Sequence, residues 1–546
     1  MAKNSIPAKS VTKPDVSQKL IWGALGIIML FAAIIRIRIL NVPLERDEGE
    51  FAYMGQLILQ GIPPYKLAYN MKFPGIYYMY AFFMSIFDQS ASGIHFGLLI
   101  VNLGSILFLF LLVKRLVSNY AALASALVFV LLSICFDVDG FAAHATNFVI
   151  FWALAGCLVL FKADTGDKKK YYFWAGILLG TAPLMKQPGF FFPLFGGLFL
   201  LVNIFRTRKS GVREPVYKFG LFLIGSVIPL FSMIIVLKLL GVFDRFWFCT
   251  VDYAMAAGKQ VSLGEGVIRF IMTFTPLWNN FYLIWILAGF GLAALFFHPG
   301  LKKNNRIVFI LLFFVFSFLS ICPGLYFTEH YYITLLPAIA LLSGIFLDYL
   351  IVIKNKFSEI KHLEFISYGI LILVVTISVV NQKEYLFQLS PDKLCKLAYL
   401  SNPFNESIEI AKYIDANSKK NDQIAVLGSE PQIYFYARRH AATGYLTTYG
   451  LMEIHKYSLA MQKEMIAEIE FNMPQFVVYV NSNLSWTRKP ESETYIFNWM
   501  EPYIHNNYQL RGVVDIYPDK TIYKWDSDVD NYQAGANTIL IFKRNE

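Results

Sequence analysis

Between residues 20 and 381 the chain alternates long apolar runs with short polar connections, and beyond Asn381 that pattern stops. A helix rises 1.5 Å per residue, so crossing the hydrocarbon of a bilayer takes about 20 consecutive apolar residues. Runs of this kind occupy roughly 20–40, 93–113, 120–136, 141–161, 172–185, 189–205, 218–240, 276–297, 307–324, 331–353 and 364–381. They predict a polytopic α-helical membrane protein with about eleven crossings, the fifth being short. After residue 381 the pattern becomes that of a soluble α/β domain spanning 382–546. QIAVLGS, FVVYVNS, LRGVVDIY and NTILIFK read as strands, and NESIEIAKYIDANS and LMEIHKYSLAMQKEMIAEI read as helices.

Composition agrees with that reading: the chain is 56% hydrophobic and only 16% charged, and its mean hydropathy is +0.49. A soluble domain of such composition would expose too much apolar surface. The net charge of +10 does not point to nucleic acid, because Lys and Arg fall in short clusters between apolar runs. Lys114 and Arg115, Lys162 with Lys168 to Lys170, Arg206 to Arg213, Lys302 to Arg306, and Lys354 to Lys361 occupy alternate connections. Positive charge stays on the cytoplasmic side, so residues 1–19 form a cytoplasmic tail. The first loop (42–92), the 241–268 loop and the C-terminal domain then lie on the extracytoplasmic side. No small-residue cleavage site follows the first run, which reads as an anchor. The five cysteines are widely scattered and form no CxxC pair or disulfide framework.

The chemistry concentrates in the first loop, PLERDEGEFAYMGQLILQGIPPYKLAYNMKFPGIYY. Asp47 precedes a helical pattern of Phe51, Met54, Leu57 and Ile58, so a short interfacial helix over about 48–60 is expected, with Asp47 as N-cap and Glu50 completing a capping box. Capping alone would account for both acids. The same position would equally let Asp47 take a proton from an acceptor hydroxyl. Lys72 lies on the outer face, where it either snorkels or neutralises a phosphate. Arg36 and Arg38, near the outer end of the first run, and Lys186 face a similar choice. No His/Cys/Asp/Glu group has metal-ligand spacing, so no structural metal is expected; a divalent ion shared by Asp47 and a phosphate stays open.

Four features in order carry a resemblance: the Asp47-Glu48 pair after the first run, the Tyr-containing stretch leading to Lys72-Phe73-Pro74, the Lys186-Gln187-Pro188-Gly189 turn, and EHYYITLLPAIALLSG from Glu329 to Gly344. Over residues 20–350 the chain resembles the GT-C membrane glycosyltransferases of family 39, which include the protein O-mannosyltransferases and lipid A aminoarabinose transferases. The resemblance implies a GT-C-like membrane domain (20–381) with a catalytic first outer loop. It also implies a donor that is a sugar on a polyprenyl phosphate, used without a nucleotide-sugar site or a required cofactor. The acceptor would be a lipid, glycan or protein.

By the same resemblance Asp47 is the catalytic base with Glu48 beside it. Lys72 lies at the lipid phosphate, and Arg38, Tyr65, Lys186, Glu329, His330 and Tyr331 are binding candidates. Two departures stand out. The family's second acid at the start of the fourth span is replaced by DGFAAHATNF, leaving Asp137, Asp139, His144 and Asn147 for that slot. Glu50 stands where the aminoarabinose transferases carry arginine. A rival reading is a transporter or flippase for lipid-linked glycans, which would put ionisable groups at mid-membrane and show repeated halves. A second rival, a non-catalytic assembly subunit, would tolerate replacement of Asp47.

Overall fold

The computed structural model describes residues 18–166, 168–207, 212–258, 260–302, 305–353, 363–530 and 532–545. Most of the predicted N-terminal tail lies outside the described residues, as do the basic residues Arg208, Lys209, Lys303, Lys354, Lys356 and Lys361 and the loop residue Lys259.

The helices follow the apolar runs. In chain order they are α1 (Gln18–Arg38), α2 (Arg46–Leu59), α3 (Gly75–Phe87), α4 (Ala91–Leu116), α5 (Asn119–Ser133), α6 (Ala145–Gly166), α7 (Lys169–Met185), α8 (Phe191–Thr207), α9 (Arg213–Leu239), α10 (Leu263–Ala294), α11 (Arg306–Leu319), α12 (Leu336–Ile353) and α13 (Leu363–Asn381). Each predicted crossing corresponds to one helix. Among the described residues, seven helices are long and apolar enough to cross a membrane by length and composition. Large apolar side chains point outward along α1, α9 and α10, among them Ile27, Ile224 and Ile271. Such a belt is costly in water and stable against lipid, and the protein is integral to a membrane.

Contacts between helix ends define the two ends of the bundle. Lys114 donates to Gln18 at 3.0 Å, Arg206 to Asn305 at 2.8 Å, and Arg306 to the Leu116 carbonyl at 3.0 Å. These contacts gather Lys114, Arg206 and Arg306 at one end of the bundle. The opposite end carries α2, α3 and the C-terminal domain.

Two expectations for that end fail. Helix α3 is an additional apolar helix inside what reads as a loop, with Phe82 and Ile86 exposed on one face and Ile76, Tyr77 and Tyr80 buried on the other. Helix α2 is not interfacial: every residue from Glu48 to Leu57 is buried. It is enclosed because the C-terminal domain covers the face that sequence assigned to solvent.

That domain holds a six-stranded sheet in the order β2-β1-β3-β6-β4-β5. The strands are β1 (Gln423–Leu427), β2 (His440–Ala441), β3 (Phe476–Asn481), β4 (Tyr508–Ile516), β5 (Thr521–Trp525) and β6 (Thr538–Arg544). The β1–β2 and β1–β3 pairs are parallel and the rest antiparallel. Of the two strands not expected, β2 has only two residues and β5 is half-buried throughout, so neither carries a period-2 signal.

The domain clamps α2 at several points. Tyr53 Oη accepts from the Ala441 amide at 2.8 Å, Gln56 donates to the Phe435 carbonyl at 3.2 Å, and Tyr436 Oη accepts from the Leu44 amide at 2.9 Å. A Cβ on Gly49 would sit 2.6 Å from Gln432 Cβ, so the glycine in Asp-Glu-Gly-Glu lets the two segments approach.

Candidate active site

Helix α2 begins two residues earlier than expected. Glu45, in extended backbone, is the N-cap: its carboxylate accepts from the Glu48 amide at 2.8 Å, and Glu48 accepts in return from the Glu45 amide at 3.3 Å. The capping box is Glu45/Glu48 rather than Asp47/Glu50. Asp47, at the second helical position, is thereby released from capping.

Glu48 is spent on structure. It is 1% exposed, accepts from the Ala143 amide at 2.6 Å and lies 2.9 Å from His95 Nε2, while His95 Nδ1 holds the Leu40 carbonyl at 2.8 Å. A catalytic part for Glu48 is not what this geometry favours; it ties the start of α2 to α4 and to the chain before α6.

Asp47 faces an opening. Its Oδ2 accepts from Lys72 Nζ at 3.1 Å, and its side chain is 28% exposed. Lys72 is aimed by its own backbone: its carbonyl accepts from Tyr65 Oη at 2.6 Å and Tyr77 Oη at 3.0 Å, and its amide donates to Asn70 Oδ1 at 2.8 Å. Tyr65, a binding candidate from sequence, is fully buried and acts on the site only through Lys72.

Lys186 enters from the break between α7 and α8, where the Gln187–Phe190 turn interrupts the helix. Its Nζ lies 3.2 Å from His330 Nε2 and 4.0 Å from the centre of the Tyr331 ring. The His330 ring stacks on His144 with centroids 3.9 Å apart. His144 is 3.7 Å from Glu45 and 3.8 Å from Asp139, and neither of its ring nitrogens has a hydrogen-bond partner. Four distant segments thus meet around Asp47: 46–48, 72, 186 and 330, with 144 behind.

Charge in this cluster is balanced by proximity. Burial raises the Asp47 pKa, but Lys72, Lys186 and His144 outweigh it and hold the carboxyl below its ordinary range. Burial likewise works against the Lys72 ammonium, and Asp47 and Glu50 more than restore it. Lys186 has less support: burial and the neighbouring Lys72 push it down to about 7. His330 is kept neutral by burial and by His144 and Lys186.

Asp47, His144 and His330 present ligand atoms that all lie within 4.8 Å of one another, a set able to hold a divalent cation. Two of the three already face an ammonium group, Lys72 at 3.1 Å and Lys186 at 3.2 Å, so a cation would have to displace both.

The other candidates fall away from the opening. Arg38 binds the Leu389 and Tyr385 carbonyls and so anchors the linker to the C-terminal domain rather than a head group. Arg36 neither snorkels nor meets a head group; it is 2% exposed and donates to Asn102, Gly140 and Ser133 at 2.9 to 3.2 Å. Asp137 is held by Asn280 and Gln382 at 3.0 Å, and Asn147 is buried against the Ala142 carbonyl. Of that slot, only His144 and Asp139 reach the cluster. Glu329 is exposed.

On its other side Asp47 opens into a cavity of about 160 Å³ between the first loop, residues 245–253 and the C-terminal domain. Arg46, Glu50, Tyr69, Asn70, Arg245, Tyr253, Tyr445, Tyr449 and Glu453 line it. Tyr445, Tyr449 and Glu453 had no sequence signal, because they reach the site only when the C-terminal domain folds back. The docking is tight: the Tyr69 amide donates to the Gly444 carbonyl at 2.7 Å, and Arg245 pairs with Glu464.

The fold is that of the GT-C membrane glycosyltransferases. Residues 71–233 match the family described as Dolichyl-phosphate-mannose-protein mannosyltransferase. The structure of ArnT from Cupriavidus metallidurans bound to undecaprenyl phosphate is similar over 96% of this chain and 98% of its own, with a TM-score of 0.58 at 14% identity. The Archaeoglobus fulgidus oligosaccharyltransferase tethered to an acceptor peptide covers 98% of this chain and 77% of its own, with a TM-score of 0.55 at 14% identity. The same archaeal enzyme, AglB, in complex with an inhibitory peptide and a dolichol-phosphate covers 97% and 76%, with a TM-score of 0.57 at 12% identity. Comparison with curated protein sequences finds no match.

Proposed function

We propose that this protein is an inverting glycosyltransferase that moves a sugar from a polyprenyl-phosphate donor to an acceptor hydroxyl at the outer face of a bacterial inner membrane. The observation that carries the reading is Asp47: an ionised carboxylate, free of the helix cap and partly exposed, with Lys186 on one side, a cavity on the other and Lys72 bridging the two. An acceptor hydroxyl attacks the anomeric carbon while Asp47 takes its proton, and the bond from that carbon to the phosphate oxygen breaks. Polyprenyl phosphate leaves with the electron pair. Lys72 and Lys186 meet the phosphate and offset the charge that develops on it, and Tyr331 holds Lys186 by its ring face. The lipid-linked ligands of the ArnT and AglB structures support a donor of this class.

The basic residues gathered at the opposite end of the bundle support this orientation, with Asp47 and the C-terminal domain outside the cytoplasm. Ionisable groups gather at that end and not at mid-membrane, which favours transfer over transport. The test uses purified protein in detergent with radiolabelled polyprenyl-phosphate hexoses. Wild type releases polyprenyl phosphate, and Asp47→Asn lowers the rate by about 100-fold or more. Equal rates for the two proteins would remove Asp47 from the chemistry.

A further inference from the structure

The two sides of Asp47 differ in chemistry, and the difference bears on the acceptor, resting on the transfer reaction above. On the Lys186, His330 and Tyr331 side the groups are cationic or imidazole, suited to a phosphate. None of those three residues lines the 160 Å³ cavity, which begins at Asp47 and Lys72 and runs towards the C-terminal domain. In an inverting displacement the nucleophile and the leaving group occupy opposite faces of the anomeric carbon. With the phosphate on the lysine side, the acceptor approaches through the cavity.

The cavity's walls indicate what kind of acceptor. Tyr253, Tyr445 and Tyr449 supply flat rings, and Glu50, Asn70 and Glu453 supply hydrogen-bonding groups between them. Flat apolar faces alternating with groups that both donate and accept match a pyranose, whose C–H faces pack on rings while its hydroxyls do both. Burial raises the pKa of Glu50 to about 8, so near neutral pH it has a proton to give, while Glu453, shifted in the same direction by burial, accepts from Tyr253 Oη at 2.8 Å. The cationic groups on the cavity wall are each already paired, Arg245 with Glu464, Arg46 with Glu430 and Lys72 with Asp47, which disfavours an anionic acceptor. A peptide backbone finds little to pair with. The extended segment bordering the cavity at Tyr445 is already bridged to Tyr69, and the remaining wall from the C-terminal domain is loop and helix.

We infer that the acceptor is a neutral sugar, the end of a glycan or glycolipid, seated between the first loop and the Tyr445 to Glu453 wall with one hydroxyl on Asp47. The hydroxyl oxygen forms the new bond to the donor's anomeric carbon, its proton passes to Asp47, and the phosphate departs. Glu453 and Thr447, which also lines the cavity, orient the ring and take no part in bond making.

The test measures label transfer from radiolabelled polyprenyl-phosphate hexoses in an amine-oxide detergent, because alkyl-glycoside detergents would themselves occupy the cavity. Acceptors are a panel of octyl hexosides and, separately, a panel of Ser/Thr peptides. Label transferred to octyl hexosides, with the acceptor KM raised about 10-fold or more in Glu453→Gln and kcat much less affected, supports the inference. Transfer to peptides but not hexosides overturns it, as does an unchanged acceptor KM in both Glu453→Gln and Thr447→Val. Slow donor hydrolysis without any acceptor reads the transferase reaction by itself. Its absence in the wild type would fail the proposed function, whereas hydrolysis without hexoside transfer would fail only the acceptor assignment. Unaltered melting temperatures show that the variants fold.

Discussion

Glu430 offers the sharpest check on how the C-terminal domain sets up the site. It is 0% exposed, accepts from Arg46 at 3.2 Å and from Ser485 at 2.7 Å, and Arg46 is the residue next to Asp47. Removing one partner of a buried ion pair costs about 3–5 kcal/mol when the remaining charge is stranded. Arg46 would not be stranded completely. It also donates to the Ser429 carbonyl and to Asn402 at 3.0 Å, and its guanidinium packs over Tyr449 at 4.8 Å. The expected loss for Glu430→Ala is therefore nearer about 2–3 kcal/mol. Burial raises the Glu430 pKa even beside Arg46, so the neutral Glu430→Gln, which can still accept, should lose only about 1 kcal/mol.

The catalytic effect should exceed the loss of stability. A displacement of the α2 start by about 1 Å misplaces a reacting group enough to cost roughly 100-fold. Glu430→Ala should therefore reduce kcat about 10- to 100-fold at temperatures where it remains folded, and Glu430→Gln by less than about 5-fold. Steady-state donor turnover alongside thermal denaturation in detergent measures both. A Glu430→Ala protein that is destabilised yet fully active would show that the domain contributes stability without positioning Asp47.

Three further outcomes are expected. Because Lys186 is held down to about 7, it is charged below that pH and neutral above it, so the donor KM of the free enzyme should rise as pH passes 7 and Lys186→Arg should remove the rise. Glu50 is raised from 4.5 to about 8, so the folded state holds its proton more tightly than the unfolded one, and stability falls as pH rises from about 4.5 to 8; Glu50→Gln should flatten that fall in melting temperature and gain nothing at pH 4. Since Lys72 and Lys186 already face Asp47 and His330, dialysis against EDTA should leave turnover intact, and a requirement for added divalent metal would show instead that a cation displaces the two lysines.

Much of the architecture was legible in the chain because membrane helices must be apolar along their whole length, and that requirement is written residue by residue. The apolar runs marked eleven of the helices, seven of which are, among the described residues, long and apolar enough to cross a membrane, and the end of the pattern at Asn381 coincides with the end of α13. Asp47 and Lys72 stood out for the same reason, as charges on a chain that otherwise hides them. Which acid caps α2 was not legible: Glu45 and Asp47 both precede the helical pattern with an acid three residues on, and the choice depends on the Ala143 amide and His95, which hold Glu48. Nor could sequence spacing bring His144 to His330 or Tyr445 to Tyr69, contacts between segments 186 and 376 residues apart that exist only once helices pack and the C-terminal domain docks. Local composition determined the membrane body and the acidic loop that holds the Asp47 carboxylate, because burial in lipid constrains each residue separately. Tertiary packing alone decided what surrounds that carboxylate, because a site of this kind is assembled from groups that share no local pattern.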